Sequence, residues 1–286
     1  MTTPVLLLVL FSGFLHAYWN YLAKTVPSGA TFVWLLAAVM SVILLPGAII
    51  YVSFFGFDWT QENVVILFVT GLLHLLYFLV LQQGYRTSDL SVVYPLARGS
   101  GPVFSTFGAV LFLRESVTVW SLAGLATVVA GVLLVAGIAQ RSADANKRRA
   151  GIFYGIFTGI LIACYTVWDG FAVKNRALAP ILIEYSSHPL RVAVLAPVAW
   201  KNWPEVRALW SAHRWKILAI GAISPFAFIL VLYAMKTAPV HYVAPMREIS
   251  IVFGVIFGAK LLTEENFRPR LIGSLLILAG IVLLSL

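Results

Sequence analysis

The sequence contains few charged residues and a single cysteine. Of its 286 residues only 11% are charged, whereas 61% are hydrophobic. A water-soluble domain of this length needs far more polar surface, so the composition excludes a soluble globular protein and predicts an integral membrane protein. Cys164 alone cannot build a disulfide framework or a cysteine-rich metal site, and its apolar neighbours predict a packed core thiol.

The sequence also lacks the motifs of common catalytic and nucleotide-binding sites. It contains no H-E-x-x-H, no G-x-S-x-G, no Walker loop and no dinucleotide fingerprint. We therefore expect no enzyme, no metal and no cofactor, and ATP-driven pumping by this chain is excluded. The net charge of +9 comes from Lys and Arg in short loops, so nucleic acid is not an expected partner. An integral membrane enzyme acting on a lipid or lipid-linked substrate stays open as the alternative function.

Long apolar runs make up most of the chain. A hydrocarbon core of about 30 Å needs about 20 mostly apolar residues per helix. Segmentation at polar residues and at Gly and Pro predicts ten transmembrane helices, five on each side of a polar stretch at 140–150. The predicted spans are residues 4–23, 30–53, 63–84, 89–113, 119–138, 151–173, 181–200, 215–235, 241–262 and 268–286.

The two halves of the chain are similar in sequence. At a shift of 150 positions, Gly71, Phe78, Thr87, Val93, Pro95, Phe107, Gly108, Ala109, Leu111 and Glu115 meet Gly221, Phe228, Thr237, Val243, Pro245, Phe257, Gly258, Ala259, Leu261 and Glu265. Because each half holds an odd number of spans, the second half enters the membrane from the opposite face. This predicts two inverted five-helix repeats, 1–138 and 151–286, joined by a linker at 139–150.

Lysine and arginine are distributed unequally between the two sets of loops. The face that includes the central linker carries thirteen of them and the opposite face four. Because cytoplasmic loops are enriched in Lys and Arg, the linker is predicted to be cytoplasmic and both termini to lie outside.

Two pairs of segments resemble a known family. Residues 113–135 and 262–284 each contain a Glu followed by a glycine-containing last helix, and 16–24 (HAYWNYLAK) and 94–102 (YPLARGSGP) are similar to a bacterial subgroup. The whole chain resembles the drug/metabolite transporter superfamily and its EamA-type members. This resemblance implies ten helices, with the first four of each half around a central cavity and the fifth and tenth at the periphery. It also implies export of metabolites or amino acids across the cell inner membrane, often linked to protons, although the family also has uptake members.

Polar side chains inside the spans are the candidates for substrate binding. A charge at the bilayer centre costs at least about 2.5–3.5 kcal/mol, so such residues should face a cavity or a partner. In the first span His16 and Asn20 share a face beside Trp19, and a packing role for Asn20 stays open. The complete set is His16, Trp19, Asn20, His74, Tyr77, Tyr94, Arg98, Tyr165, Asp169, Arg247 and Glu248.

Arg98 and Glu248 are equivalent positions of the two repeats. Opposite charges at such positions predict either a pair across the cavity or a site for the two ends of a zwitterion. A purely structural ion pair of Arg98 stays open. For Asp169, amine binding and pairing with Lys174 are both open.

The seventh span places an acid, an imidazole and a base on one helical face. Glu184, His188 and Arg191 follow the spacing i, i+4 and i+7, which favours a proton relay or a self-satisfied structural network. With His16 and Glu248, these residues are the candidates for proton coupling.

Together the residues predict a secondary transporter that moves a small zwitterionic or anionic metabolite by alternating access. Proton-coupled export is the expected mode. The expected partners are the substrate and the lipid bilayer, and the sequence leaves open whether the chain is a monomer or a homodimer.

Overall fold

The chain folds into helices joined by short loops. A computed structural model describes residues 3–27, 29–88, 90–135, 145–261 and 267–285, and these contain no strand. Helices are expected because a backbone in an apolar medium must satisfy its N–H and C=O groups within its own segment. The helices are α1 (Thr3–Lys24), α2 (Ala30–Phe55), α3 (Gln61–Thr87), α4 (Leu90–Leu113), α5 (Val119–Val135), α6 (Ala145–Lys174), α7 (Pro180–Lys201), α8 (Trp203–Thr237), α9 (Val240–Met246), α10 (Ile249–Leu261) and α11 (Phe267–Ser285).

Seven segments of the described chain are long and apolar enough to cross a membrane. They lie in α1, α2, α3, α4, α6 and α8 and across the joined pair α9 and α10. The apolar parts of α5 and α11 are shorter, and α7 is not among the seven. Since α7 contains Glu184, His188 and Arg191, its mean hydropathy is reduced by the residues that make it a functional candidate.

The helix bounds agree with the predicted spans within three residues, with three exceptions. Helix α6 begins at Ala145, inside the predicted linker, of which residues 139–144 lie outside the described residues. Helix α8 begins at Trp203, twelve residues before the predicted span, because the segment 203–214 is too polar and too rich in Trp to register as apolar. The ninth span is divided into α9 and α10.

The division of the ninth span lies at Arg247 and Glu248. Pro245 has no N–H to donate, and the following residues bond over a shorter interval: the Glu248 N–H donates to the Pro245 carbonyl, and the Ser250 N–H to that of Arg247. Two charged residues therefore sit at a break in an otherwise apolar segment, which is where discontinuous membrane helices present polar groups to a cavity.

Helices of the first half pack mainly on helices of the second. Helix α1 packs on α8 and α10, while α6 packs on α3 and α4. Helix α2 packs on α7, and α5 packs on α11. Helices α1 and α6, α3 and α8, and α4 and α10 correspond in sequence order within the two halves. The contacts of α1 with α8 and α10 therefore have counterparts in those of α6 with α3 and α4.

Helices α5 and α11 touch through main chain at two levels. A Cβ atom on Gly124 would lie 2.8 Å from the Gly280 carbonyl oxygen, and one on Gly131 would lie 2.6 Å from the Gly273 carbonyl oxygen. Only glycine fits such an approach. Glycines seven residues apart on both helices therefore set how closely α5 and α11 pack.

Cys164 does not occupy the core. Its side chain is exposed on α6, whereas Tyr165 and Asp169 on the same helix are buried. The prediction of a packed core thiol is wrong because apolar neighbours in a membrane helix do not separate the face that meets lipid from the face that meets protein.

Candidate functional site

A charged cluster lies where α4 meets the break between α9 and α10. The Arg98 Nη2 lies 3.0 Å from the Glu248 Oε2 and donates a hydrogen bond to the Ser250 Oγ at 3.2 Å. The Glu248 side chain is 5% exposed and that of Arg98 15%. The structure thus brings together the two equivalent positions of the repeats, and an ion pair this deeply buried needs its charges matched.

Two small cavities adjoin this ion pair. Both are lined by Arg98 and Arg247. One also touches His16 and Phe228, and the other touches Glu248. Each has a volume of about 10 Å³, enough for roughly one water molecule. The lining comes from α1, α4, α6, α8 and the α9–α10 segment, whereas α5 and α11 line neither cavity.

The charges around the cavities do not cancel. Two guanidinium groups, Arg98 and Arg247, face one carboxylate, Glu248, so the three groups sum to +1. Arg247 lies with its guanidinium 5.4 Å from the centre of the Phe228 ring, a cation–π arrangement that offsets part of its desolvation. The excess positive charge in an apolar interior favours an anionic group as a ligand.

His16 belongs to this site, whereas its neighbours are turned elsewhere. The Trp19 Nε1 donates to the His16 Nδ1 at 3.3 Å, which fixes the imidazole at the cavity wall. Asn20 is exposed, and its amide donates to the His16 carbonyl at 2.7 Å, within the same helix. Asn20 and Trp19 therefore do not line either cavity.

A second buried polar group lies on α3 and α6. The Asp169 side chain is fully buried, accepts a hydrogen bond from the Thr70 hydroxyl at 2.8 Å and lies 2.8 Å from the His74 Nε2. The Tyr165 ring centre lies 4.3 Å from that of the His74 ring, with the two planes tilted by 32°, and the Tyr77 ring centre is 5.5 Å from that of Tyr165. Four predicted site residues are thus together, but none of them lines the cavities around Arg98.

Lys174 does not pair with Asp169, so that interpretation of Asp169 is wrong. Its Nζ donates to the Glu115 Oε1 at 3.2 Å. The five residues from Asp169 to Lys174 are about 1.4 turns of α6, which places the two side chains on different faces. His74 lies opposite Asp169, and the loop after α4 lies opposite Lys174.

On α7 the Glu184 Oε1 lies 3.1 Å from the His188 Nε2, and both side chains are buried. The guanidinium of Arg191 lies 5.6 Å from the centre of the Phe78 ring. These three residues sit beside α3 and away from the Arg98 cavities. The side chain of Tyr94 lies outside the described residues.

Glu115, in the loop after α4, holds the first turn of α9. Its carboxylate accepts hydrogen bonds from the Val240 N–H at 2.8 Å and the His241 N–H at 3.1 Å, and it lies 2.8 Å from the His241 Nδ1. Burial raises the pKa of this carboxyl, but the hydrogen bonds from His241, Val240 and Lys174 lower it by more, so that the pKa falls to about 2. A loop of the first half thereby anchors the broken helix of the second.

Sequence reasoning missed several residues that complete these sites. Ser250 and Thr70 bond the buried charges, and Phe228 lies between the two polar groups. Small hydroxyl residues are common in apolar helices, so no local signal singles these two out. Phe228 repeats Phe78, but its role depends on contacts between helices. Among the described residues no group of three or more His, Cys, Asp or Glu side chains is placed to hold a metal ion.

Comparison with known proteins relates the chain to a solved structure and to a protein family. No curated protein matches the chain in sequence. A solved crystal structure matches it with a TM-score of 0.78 over 100% of this chain and 98% of the other, at 14% sequence identity, which shows a shared fold. Residues 149–286 match the model of the EamA-like transporter family. This match confirms the resemblance found in the sequence: residues 149–286 are similar to the EamA-like transporter family, and the chain is a multi-pass membrane protein.

Proposed function

We propose that the protein is a secondary transporter for a small zwitterionic or anionic metabolite. The observation that carries the proposal is the excess positive charge of Arg98 and Arg247 over Glu248 around one pair of buried cavities. A carboxylate bound between the two arginines would make the cluster neutral. The amine of a zwitterion would lie beside Glu248, so each end of the ligand would face an opposite charge while the whole site keeps its net charge of +1. The Phe228 ring would limit the size of the remainder.

We propose further that the chain crosses the membrane ten times, as two inverted five-helix repeats. Two observations support this arrangement. The contacts of α1 with α8 and α10 correspond to those of α6 with α3 and α4, and the glycine contacts of α5 and α11 are also paired. At a shift of 149 positions, Gly124 corresponds to Gly273 and Gly131 to Gly280. Exchanging the two halves therefore turns the contact between Gly124 and Gly280 into the contact between Gly273 and Gly131. A two-fold axis in the membrane plane accounts for both contacts with one operation.

Alternating access is the transport mechanism that fits the cavity size. Cavities of about 10 Å³ hold roughly one water molecule each, so a metabolite binds only when the helices around Arg98 separate. Rocking of the two halves about the site would open it to one side at a time. A ligand shifts this equilibrium only through its different affinity for the two states.

Proton-coupled export across the cell inner membrane, with the central linker cytoplasmic and both termini outside, completes the proposal. The basic residues Lys147, Arg148 and Arg149 at the start of α6 support this orientation, because cytoplasmic segments retain positive charge. His16, Glu184, His188, Arg191 and Glu248 are the proposed groups through which protons act. Whether the working unit is a monomer or a homodimer does not alter the site, which lies within one chain.

Ligand binding tests the substrate class directly. Purified protein is heated with a mixture of amino acids, with simple amines or with simple monocarboxylates, because a ligand raises the apparent melting temperature by mass action. We expect the amino-acid mixture to give the largest increase and the amines none. Arg98→Gln should abolish the increase, and the matched control Arg148→Gln, an exposed arginine at the start of α6, should keep it.

Two results would contradict the proposal. An increase with amines alone would show that the excess positive charge does not select the ligand. An undiminished increase with the amino-acid mixture in Arg98→Gln would show that the ligand binds elsewhere.

A further inference from the structure

A second buried network of ionisable groups lies on α3, α6 and α7, apart from the Arg98 cavities. It consists of two pairs. The His74 Nε2 lies 2.8 Å from the Asp169 Oδ2, and the His188 Nε2 lies 3.1 Å from the Glu184 Oε1. Helices α3 and α7 approach closely beside them, since a Cβ on Gly71 would lie 2.9 Å from the Ser186 carbonyl oxygen.

One aromatic side chain contacts both this network and the proposed substrate site. The Phe228 ring centre lies 5.4 Å from the Arg247 guanidinium and 5.4 Å from the His74 ring. The Tyr165 ring lies 6.3 Å from the same centre. Phe228 lines the cavity shared by Arg98 and His16, whereas His74 and Asp169 do not.

The charges of the two pairs differ in what surrounds them. Glu184 and Arg191 lie seven residues, about two turns, apart on the same face of α7, so the helix that carries this pair also carries a positive charge. For Asp169, His74 is the only ion-pair partner among the residues that the structure describes. A carboxylate with a neutral imidazole carries a net charge of −1 in an apolar interior, which one bound proton removes.

We propose that His74 and Asp169 form the binding site for the coupling proton, distinct from the substrate site at Arg98 and Arg247. In the empty state the His74 Nε2–H donates to the Asp169 carboxylate, and Thr70 donates to the other oxygen. The proton adds to the free ring nitrogen of His74, Nδ1, and gives an imidazolium–carboxylate pair with no net charge. This inference rests on the proposed transport function. It replaces a substrate-binding role for His74, Asp169, Tyr77 and Tyr165, and it places the coupling proton here rather than on the five groups proposed above.

Several other ionisable or charged groups surround this site. From each helix packed against it these are Tyr77 on α3, Tyr165 on α6, and Glu184, His188 and Arg191 on α7, with Arg247 beyond the Phe228 ring of α8. None of these groups is a second carboxylate in contact with Asp169. Protonation therefore changes the net charge at His74, and ligand binding changes it at Arg247. Because the Phe228 ring lies against both groups, it is the contact through which the two events influence each other.

Reconstituted liposomes separate the two sites. A ¹⁴C-labelled amino-acid mixture is the probe, and two rates are measured: exchange of internal for external probe, and accumulation driven by an imposed pH gradient. Asp169→Asn should keep exchange and lose accumulation, because exchange needs no net proton movement. Cys164→Ser, an exposed position on the same helix, should keep both. Phe228→Ala should make the pH gradient decay faster without substrate, and an unchanged decay would contradict the role of this ring.

The outcomes are distinguishable. Accumulation that persists in Asp169→Asn overturns the proton site, and loss of exchange in a folded Asp169→Asn protein returns Asp169 to the substrate site. If the wild-type protein shows no exchange, the proposed transport of amino acids fails, and the proton site is judged by labelling alone. Diethyl pyrocarbonate modifies neutral imidazole nitrogens, so His74 of the wild type should be labelled less as the pH falls. Labelling of His74 that fails to decrease with falling pH overturns the inference even where Asp169→Asn and His74→Gln fail to fold.

Discussion

Removal of Glu248 is expected to destabilise the protein more than removal of Arg98, although the two residues form one ion pair. Glu248→Gln leaves Arg98 and Arg247 with a net charge of +2 in a buried site. Arg98→Gln leaves Glu248 facing Arg247, with a net charge of zero. Breaking a buried pair so that a charge is uncompensated costs about 3–5 kcal/mol. Loss of the Arg98 hydrogen bonds without such a charge costs about 1–3 kcal/mol.

The double variant Arg98→Gln/Glu248→Gln provides the decisive comparison. It leaves Arg247 alone, with a net charge of +1, which equals that of the original cluster. Its loss of stability should therefore be smaller than the sum of the two single losses by about 1–2 kcal/mol, as for residues in direct contact. Arg148→Gln, exposed at the start of α6, should change stability by less than about 0.5 kcal/mol.

The melting temperature of the purified protein in detergent measures these effects. For a protein of this size about 1 kcal/mol corresponds to roughly 2–4 °C, so Glu248→Gln, at about 3–5 kcal/mol, should lower the melting temperature by roughly 6–20 °C. A larger loss for Arg98→Gln than for Glu248→Gln would show that Arg247 does not share the cluster. Strict additivity in the double variant would show that the pair contributes no coupling.

Three further predictions concern packing, backbone strain and pH. Gly131→Ala should cost about 1–3 kcal/mol in the same melting assay, because the new Cβ would meet the Gly273 carbonyl oxygen, while Gly254→Ala, which meets open space, should not destabilise. Ala177→Gly should raise the melting temperature, because Ala177 has a φ of 53° and glycine relieves a strain of about 1 kcal/mol; a fall would contradict this. Glu115→Gln should destabilise at neutral pH. Because the folded-state pKa of Glu115 is about 2, below its ordinary 4.5, that difference should persist above pH 4.5 and vanish as the pH falls towards 2, and a difference independent of pH would exclude the carboxylate as its source.

The extent of the helices was readable from the sequence because the bilayer sets one requirement, an apolar length, that the chain displays directly. Departures from this agreement have specific causes. The segment 203–214 extends α8 with polar residues that no hydropathy window accepts. The sequence shows Pro245, but it does not show whether this proline bends the helix or divides it. The polar groups at the break have a partner only through Arg98, which lies on another helix.

The contents of the candidate site were predictable where the internal repeat supplied a second constraint. Arg98 and Glu248 were matched through their register at a shift of 150 positions, and the structure places them 3.0 Å apart. His74 and Asp169 were each recognised as buried ionisable residues, but nothing in the sequence joins α3 to α6. The hold of Glu115 on the start of α9 was missed for the same reason, since it bridges 125 positions between residues 115 and 240.

The main-chain contacts of α5 and α11 have a consequence for protein engineering. Side chains elsewhere can change rotamer to absorb a substitution, but two carbonyl groups lying against glycines have nothing to rearrange. The packing of this pair is therefore insensitive to what happens around Arg98, and neither helix lines the cavities. Residues on α1, α4, α8 and at the α9–α10 break can therefore be exchanged to alter ligand preference. The contact between α5 and α11 is left unchanged and continues to hold the two halves together.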